Sequence, residues 1–445
     1  MGGRASRLMT NTFFLESLGC AKNQVDSEHI ISLLERRGLV HTPDEEHAAC
    51  VIVNTCGFIQ SAKEESIAAV LDFRRRHPDK KIILVGCLAL RYQKELEAEL
   101  GEADGVWGDI RHPDFPGFVL DILGASLPPA PGPSAGDFGE RRHLLSFPGS
   151  VYIKISEGCG NNCTYCAIPL IRGNLRSRDR HDIVNEARAF LARGIREINL
   201  IAQDTAAFGS DRGAPELERL LADLCALPGD HWIRLLYLHP DHFPDELPDL
   251  MNRFPILIPY FDIPFQHGSA SVLAAMNRRG NAAAYAALVE RIRERLPQAV
   301  LRTTFLVGFP GENERDFEEL LAFQERIAPQ WAGVFVYSPE EGTPAVAFKP
   351  RVPKKSAMAR KNILEERQTS LTYSWLERLV GRSVEVLLEE QVEGEALSLG
   401  RAWFQAPEVD GLVVVEGASA APGERIRVNI TGRAGMDLKG VGTDE

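Results

Sequence analysis

The centre of the chain carries the sequence Tyr152-Ile153-Lys154-Ile155-Ser156-Glu157-Gly158-Cys159-Gly160-Asn161-Asn162-Cys163-Thr164-Tyr165-Cys166. Its first five residues predict a strand, and three cysteines follow in a C-x3-C-x2-C loop at the carboxyl end of that strand. Three thiolates around one point suit an iron–sulfur cubane that leaves one iron open. They also suit a catalytic zinc with three protein ligands. The loop therefore indicates a reactive metal site, and both metals stay open at this point.

Strands and helices alternate from about residue 150 to residue 360. The candidate strands are Tyr152–Ser156, Glu197–Ile201, Trp232–Leu238, Tyr260–Ile263, Val300–Val307 and Gly333–Tyr337. About six such units predict a full or partial barrel of parallel strands. Because active sites of parallel barrels lie at the carboxyl ends of the strands, the cysteine loop is on the expected side.

The N-terminal region shows the same alternation on a smaller scale. Apolar runs begin at Thr12, Cys50 and Lys81, and each is followed by a helical pattern. Strand–helix alternation at this spacing predicts right-handed crossovers and a parallel sheet.

Three further cysteines, Cys20, Cys56 and Cys87, each lie between one of these strands and the next helix. In a parallel sheet all three loops emerge at one edge, outside the carboxyl ends of the strands, where ligands bind. Neighbouring strands are about 5 Å apart, so the three thiols can converge on one metal centre. The alternative is three small buried residues, because free cysteine is often buried. We favour a second three-cysteine cluster, and we interpret Cys50 and Cys225 as core residues.

The remaining segments complete the predicted α/β architecture. Residues 125–145 contain a Pro-rich run typical of a linker. Short alternating strands between Gly-rich turns after the helix near Ala357–Leu379 predict a small antiparallel barrel. The predicted divisions are a parallel-sheet domain at 11–124, the linker at 125–145, the partial (β/α) barrel at 146–372 and the small barrel at 376–443.

Composition limits the possible functions. The 445 residues are 44% hydrophobic and carry a formal net charge of −12. An acidic chain is a poor non-specific partner for nucleic acid. No run of about 18 apolar residues occurs, so we expect no membrane span. The grouping of the eight cysteines indicates metal or redox chemistry in a reducing compartment. We therefore expect a cytoplasmic protein, and we expect a monomer.

These residues resemble the methylthiotransferase family of radical S-adenosylmethionine enzymes, from about Thr12 to the C-terminus. The motifs that carry the resemblance are Ser17-Leu18-Gly19-Cys20-Ala21-Lys22-Asn23, Asn54-Thr55-Cys56-Gly57-Phe58-Ile59, the central cysteine loop, Arg172-Gly173, Ala202-Gln203-Asp204-Thr205, Asp262-Ile263-Pro264-Phe265-Gln266-His267 and Val307-Gly308-Phe309-Pro310-Gly311-Glu312. The tail is similar to the TRAM barrel of that family. Two departures are the Gly160-Asn161-Asn162 spacer and Asn313 after Gly311-Glu312, where Thr is common.

Two branches of the family must be separated, one acting on tRNA adenosine and the RimO branch acting on an aspartate of the small-subunit ribosomal protein numbered twelve. The first motif and the sequence Tyr337-Ser338-Pro339-Glu340-Glu341-Gly342-Thr343 are similar to the RimO branch. From Leu376 to Glu445 there are 7 basic and 13 acidic residues, so the charge is 7 − 13 = −6. A tRNA-binding barrel should be basic, whereas an acidic barrel suits a basic ribosomal protein. The tRNA enzyme stays the alternative.

The resemblance implies two 4Fe-4S clusters and S-adenosylmethionine as cofactors. Cys159, Cys163 and Cys166 would hold the cluster that cleaves S-adenosylmethionine, and Cys20, Cys56 and Cys87 would hold the cluster that delivers sulfur. The implied product is a methylthio group on the β-carbon of the target aspartate. Gln203 and Arg302 are candidates for cofactor contacts, with ordinary polar lining as the alternative. The implied partners are the ribosomal protein and a reductant such as flavodoxin or ferredoxin. A non-enzymatic protein stabilised by zinc is the remaining alternative.

Overall fold

The computed structural model describes residues 11–125 and 141–443. The chain divides into two compact units, one containing residues up to 145 together with 167–173, and the other containing 146–166 and the residues from 174 onward. Residues 126–140 of the predicted linker lie outside the described residues. Arg141, at the end of that predicted linker, is fully buried in the N-terminal unit and forms an ion pair with Glu28. No helix of the described ranges is long and apolar enough to cross a membrane.

The N-terminal unit is built on a five-stranded parallel sheet with the order β2-β1-β3-β4-β5. Its strands are β1 (Thr12–Ser17), β2 (Val40–His41), β3 (Cys50–Thr55), β4 (Lys81–Gly86) and β5 (Gly105–Val106). Its helices are α1 (Ala21–Arg36), α2 (Gln60–Arg76), α3 (Cys87–Glu99), α4 (Phe115–Leu123) and α5 (Ile168–Ile171). Every residue of β3 is buried, as inner strands of parallel sheets require.

Alternate residues of the two central strands enter different hydrophobic cores. Ile52 and Ile83 pack with residues of α1 and α4, whereas Val51 and Ile82 pack with residues of α2 and α3. The predicted parallel sheet is confirmed. The two-residue edge strands were not predicted, because so short a strand carries no measurable periodicity. Helix α4 was not predicted either.

The larger unit contains an open six-stranded parallel sheet with the order β13-β12-β11-β10-β9-β6. Its strands are β6 (Ser150–Lys154), β9 (Glu197–Ile201), β10 (Trp232–Leu235), β11 (Leu257–Asp262), β12 (Val300–Val307) and β13 (Trp331–Val336). A short antiparallel pair is formed by β7 (Ser156–Glu157) and β8 (Arg176–Ser177). The helices are α6 (Arg180–Ala192), α7 (Leu217–Cys225), α8 (Leu247–Arg253), α9 (Ala270–Ala275), α10 (Ala282–Arg295), α11 (Glu314–Ile327) and α12 (Lys354–Glu377). The predicted partial barrel is confirmed.

Asn313 begins helix α11 through a capping box. Its side chain accepts a hydrogen bond from the Asp316 N–H at 3.2 Å, and the Asp316 carboxylate accepts one from the Asn313 N–H at 2.9 Å. Asn is as good an N-cap as Thr, so this departure from the family motif is conformationally neutral.

The C-terminal barrel is closed in the order β14-β15-β16-β18-β17. Its strands are β14 (Ser383–Gln391), β15 (Leu397–Ala402), β16 (Val413–Glu416), β17 (Arg425–Ala434) and β18 (Asp437–Thr443). The strands pair antiparallel as predicted, except that β16 and β18 run parallel. Strands β15 and β18 were not predicted because glycines interrupt their apolar pattern. A Cβ at Gly400 would lie 2.5 Å from the Leu387 carbonyl oxygen, so close strand packing requires glycine there.

A buried charge cluster joins this barrel to the amino ends of the parallel strands. Glu197, the first residue of β9, pairs with Arg234 at 2.7 Å and with Arg401 at 2.6 Å, and Arg401 also pairs with Glu389 at 2.7 Å. The barrel is therefore attached at the amino end of β9, whereas the cysteine loop follows the carboxyl end of the neighbouring strand β6.

Candidate metal centres

Hydrogen bonds within the central cysteine loop shape both of its ends. The Asn161 N–H lies 3.4 Å from the Cys159 sulfur, and the Cys166 N–H donates to the Cys163 carbonyl oxygen at 3.1 Å. Thr164 anchors the middle of the loop, because its hydroxyl donates to the Ala275 carbonyl oxygen at 2.7 Å. These contacts fix the backbone between the three cysteines while Cys163 and Cys166 stay partly exposed.

Asp204, three residues after the carboxyl end of β9, holds this loop against the sheet. Its Oδ2 accepts hydrogen bonds from the Asn161 amide and from His242 Nδ1, both at 2.8 Å. Burial alone would raise the pKa of Asp204, but the hydrogen bond from His242 and the other donors outweigh it and hold that pKa below its usual value. Asn161, which belongs to the spacer that departs from the usual one, thus contributes a second anchor of the loop beside Thr164.

Asp204, His239 and His242 also place ligand atoms within 4.8 Å of one another, as a metal site would. The hydrogen bonds argue against a metal there. His239 Nδ1 accepts from the Asp241 N–H at 3.2 Å, so the proton of the neutral ring is on Nε2. Both oxygens of Asp204 already accept hydrogen bonds. We therefore interpret this cluster as the support of the cysteine loop.

The thiols of the loop fit a metal better than a free nucleophile. The cysteines form no disulfide among the described residues. Burial raises the pKa of Cys159 to about 11, so the free thiol stays protonated near neutral pH. A thiolate there requires a bound cation, because a coordinating metal deprotonates the thiol outright. The donor set of three sulfurs, without histidine or carboxylate among them, suits an iron–sulfur cluster.

Gln203 lies beside the loop, directly before Asp204. Its amide nitrogen donates to Glu157 at 3.3 Å, and Glu157 is paired with Lys154 at 2.7 Å. The buried Gln203 Oε1 has no hydrogen-bond partner within the described part of the chain. It is therefore an acceptor that a bound cofactor could satisfy.

Arg302 has a different environment. It is the third of eight residues in β12, well before the carboxyl end of that strand. Its Nη1 donates to Asp410 Oδ1 at 2.5 Å and to the Val409 carbonyl oxygen at 3.3 Å, both in the C-terminal barrel. Tyr260 donates to the other oxygen of Asp410 at 2.6 Å. These contacts offer a structural role for Arg302, and its cofactor contact stays a prediction.

The three N-terminal cysteines follow three adjacent strands. Cys56 and Cys87 come directly after β3 and β4, and Cys20 comes three residues after β1. Because β1, β3 and β4 are neighbours in the sheet, all three thiols lie at its carboxyl edge, as the sequence predicted. Cys50 is fully buried in β3, and Cys225 ends α7 in a half-buried position.

Glycines next to these cysteines let the loops approach one another. A Cβ at Gly19 would lie 2.9 Å from the Cys56 Cβ, and one at Gly86 would lie 2.2 Å from Asn54 Oδ1. Gly19 and Gly86 also have φ values of +99° and +91°, which disfavour other residues. Burial raises the pKa of Cys56 to about 12. The edge therefore fits a group that three sulfurs bind, by the same argument as for the central loop.

Arg172 is a functional candidate that sequence reasoning did not single out. It follows α5 and packs in the N-terminal unit, where two of its nitrogens donate to the Cys87 sulfur at 3.0 and 3.3 Å. In the sequence, Arg172 and Asp204 stood out only as members of the motifs that resemble the family. A charged side chain a few residues after a strand or a cysteine loop was the signal that could have found them.

Three family models match the chain. They are the uncharacterized protein family UPF0004 at residues 12–108, the radical SAM superfamily at residues 153–323 and the TRAM domain at residues 380–442. A solved structure with a similar fold is the radical S-adenosylmethionine methyltransferase TsrM from Kitasatospora setae, with cobalamin and a 4Fe-4S cluster bound. Its TM-score is 0.52 at 14% identity, and the match covers 76% of this chain and 77% of that one. The partial barrel and its cysteine loop thus define a radical S-adenosylmethionine enzyme, which implies S-adenosylmethionine and one 4Fe-4S cluster as cofactors.

Two relatives narrow this class. The ribosomal protein uS12 methylthiotransferase RimO of Treponema denticola is 44% identical, over 95% of this chain and 99% of that protein. The enzyme of the same name from Syntrophobacter fumaroxidans is 40% identical, over 97% and 98%. The chain belongs to the RimO family of radical S-adenosylmethionine methylthiotransferases.

Proposed function

We propose that this chain adds a methylthio group to the β-carbon of an aspartate in ribosomal protein uS12. The observation that carries the proposal is the presence of two separate groups of three cysteines, each at the carboxyl ends of parallel strands. The names of the relatives support uS12 rather than tRNA as the substrate. The acidic C-terminal segment supports the same choice, because a basic ribosomal protein complements it.

The six cysteines are proposed as cluster ligands. Cys159, Cys163 and Cys166 would hold the cluster of the radical chemistry, and Cys20, Cys56 and Cys87 would hold a second 4Fe-4S cluster. When bound, these groups and S-adenosylmethionine supply the radical, the sulfur and the methyl group. The protein's part is to hold three sulfurs at each edge and to leave one coordination position open.

The neighbouring residues are proposed as supports for these ligands. Asp204 holds the central loop through Asn161, so that the spacing of the three thiolates is set before a cluster binds. Gln203 is proposed to accept a hydrogen bond from S-adenosylmethionine through its unpartnered Oε1. Arg302 keeps its proposed cofactor role beside the structural one, and a binding measurement on Arg302→Met decides between them.

A reductant such as flavodoxin or ferredoxin would supply electrons, the protein would act as a monomer, and it would work in the cytoplasm on the free protein or on the ribosome. The reductant is proposed because the radical chemistry needs a one-electron donor, and the location is proposed because of the substrate.

Cysteine variants test the division of labour. Cys163→Ala should abolish 5′-deoxyadenosine formation, whereas Cys56→Ala should preserve it and abolish methylthiolation of a uS12 substrate. Cys225→Ala is the matched control and should retain both activities. Liquid chromatography measures the nucleoside, and mass spectrometry measures the modification on uS12 peptides and on tRNA nucleosides. Methylthiolation by Cys56→Ala, or a modified tRNA nucleoside with unmodified uS12, would contradict the proposal.

A further inference from the structure

Arg172 is buried against the sulfur of Cys87. Its Nη2 and Nε lie 3.0 and 3.3 Å from the sulfur, so one guanidinium directs two N–H groups at one sulfur atom. The side chain is 8% exposed, and Ala167 and Ile171 pack with Cys87 in the same small hydrophobic cluster. Because the surroundings are buried and apolar, these two N–H donors interact with the sulfur more strongly than they would in water.

Further contacts of Arg172 fix its orientation. Its Nη1 donates to Asp26 Oδ2 at 2.7 Å, and its Nη2 also donates to Asn23 Oδ1 at 2.9 Å. The Asn23 amide nitrogen in turn donates to the carbonyl oxygens of Leu18 at 2.9 Å and Thr55 at 3.0 Å, at the ends of β1 and β3. The guanidinium is thus braced against the loops that carry Cys20 and Cys56 as well as against Cys87.

We propose that Arg172 is a positioning residue that sets the reduction potential of the metal centre at Cys20, Cys56 and Cys87. This inference rests on the proposed function, because it presupposes a cluster at that edge. Hydrogen bonds to ligand sulfurs and nearby positive charge stabilise the reduced form of an iron–sulfur cluster, which carries one more negative charge. Asp26 has the opposite sign and acts against Arg172. The balance of this buried pair determines how readily the centre accepts an electron.

The test isolates the second centre. In a background of Cys159→Ala, Cys163→Ala and Cys166→Ala, only the N-terminal edge can hold a cluster. Redox titration followed by electron paramagnetic resonance gives its potential, and iron analysis gives its occupancy. Asp26→Asn should move the potential to a less negative value, because Asn still accepts from Arg172 but has lost the charge.

Arg172→Met is added to Asp26→Asn so that no buried carboxylate is left unpaired. This double variant should titrate at a more negative potential than Asp26→Asn alone. Arg172→Lys keeps the positive charge but loses the pair of guanidinium N–H donors to the Cys87 sulfur. We therefore expect a smaller shift of the reduction potential to more negative values. Arg172→Lys also serves as the test if the double variant does not fold. Arg75→Met is the control, because Arg75 is 78% exposed, and it should not change the potential.

The outcomes separate the two proposals. If the background protein holds no four-iron centre, the proposed second cluster is wrong and the inference falls with it. If the centre is present but its potential is the same with and without Arg172, the inference alone is wrong. Opposite shifts for Asp26→Asn and for the added Arg172→Met support it, since general damage to the site would not change sign with the charge removed.

Discussion

Replacing Arg401 with methionine should destabilise the larger unit by about 3–5 kcal/mol, the usual cost of removing one partner from a buried ion pair. Within the described residues Arg401 is the ion-pair partner of Glu389, and it shares Glu197 with Arg234. Glu197 is fully buried and Glu389 is 8% exposed, so water cannot replace the lost cation. The substitution leaves two buried carboxylates with one guanidinium between them.

A second variant tests whether charge balance is the cause. Arg401→Met combined with Glu389→Gln removes one charge of each sign, so its cost should fall to that of unsatisfied hydrogen bonds, about 1–3 kcal/mol. Urea unfolding followed by tryptophan fluorescence reports on the larger unit, because four of the five tryptophans are in it. Arg315→Met is the surface control, since Arg315 is 85% exposed, and it should cost under about 0.5 kcal/mol. A single variant Arg401→Met that unfolds like the Arg315 control would refute the reasoning.

Three other changes have defined outcomes. Asp204→Ala should release Asn161 and leave the fold intact, so S-adenosylmethionine cleavage should fall at least about tenfold, as supports of metal ligands typically show, while circular dichroism is unchanged. Gly86→Ala should cost about 1–3 kcal/mol of strain and lower the iron content of the N-terminal site, because φ is +91° and a Cβ would meet Asn54. Gly101 has open space around it, so Gly101→Ala should change neither the stability nor the iron content. Burial would raise the pKa of Glu197, but the charges of Arg401 and Arg234 outweigh it and depress that pKa. The ion pairs of Glu197 therefore stabilise the folded state above the pKa of the unfolded state, about 4.5. This stabilisation is lost as the pH falls through the lower pKa of the folded state. The difference in urea midpoint between the wild type and Glu197→Gln should therefore shrink below about pH 4.5 and stay constant from pH 6 to 7.

The sequence predicted the parts of the site that local periodicity controls. Cys20, Cys56 and Cys87 follow strands whose apolar runs are continuous, and parallel connection alone then puts them on one sheet edge. The limits of β9 and β12 agree with the prediction residue for residue. In both cases a clear apolar run marks the boundary.

Pairings between distant side chains could not be predicted in this way. Arg172 lies 85 residues from Cys87 in sequence, and Arg401 lies 204 residues from Glu197. Each is a charged residue that is normally exposed, and its burial depends on a partner from another element. Arg302 shows the same limit, because its position in β12 was predicted but its contact with Asp410 was not.

Two three-cysteine metal centres in one chain are the basis of the proposed chemistry. The most direct measurement is iron and sulfide analysis with Mössbauer spectroscopy on the anaerobically reconstituted wild type and on two triple-alanine variants, one for each cysteine group. We expect about eight irons in the wild type and about four in each variant, with one iron per cluster lacking a protein sulfur ligand. About four irons in the wild type, and none in one of the two variants, would contradict the account.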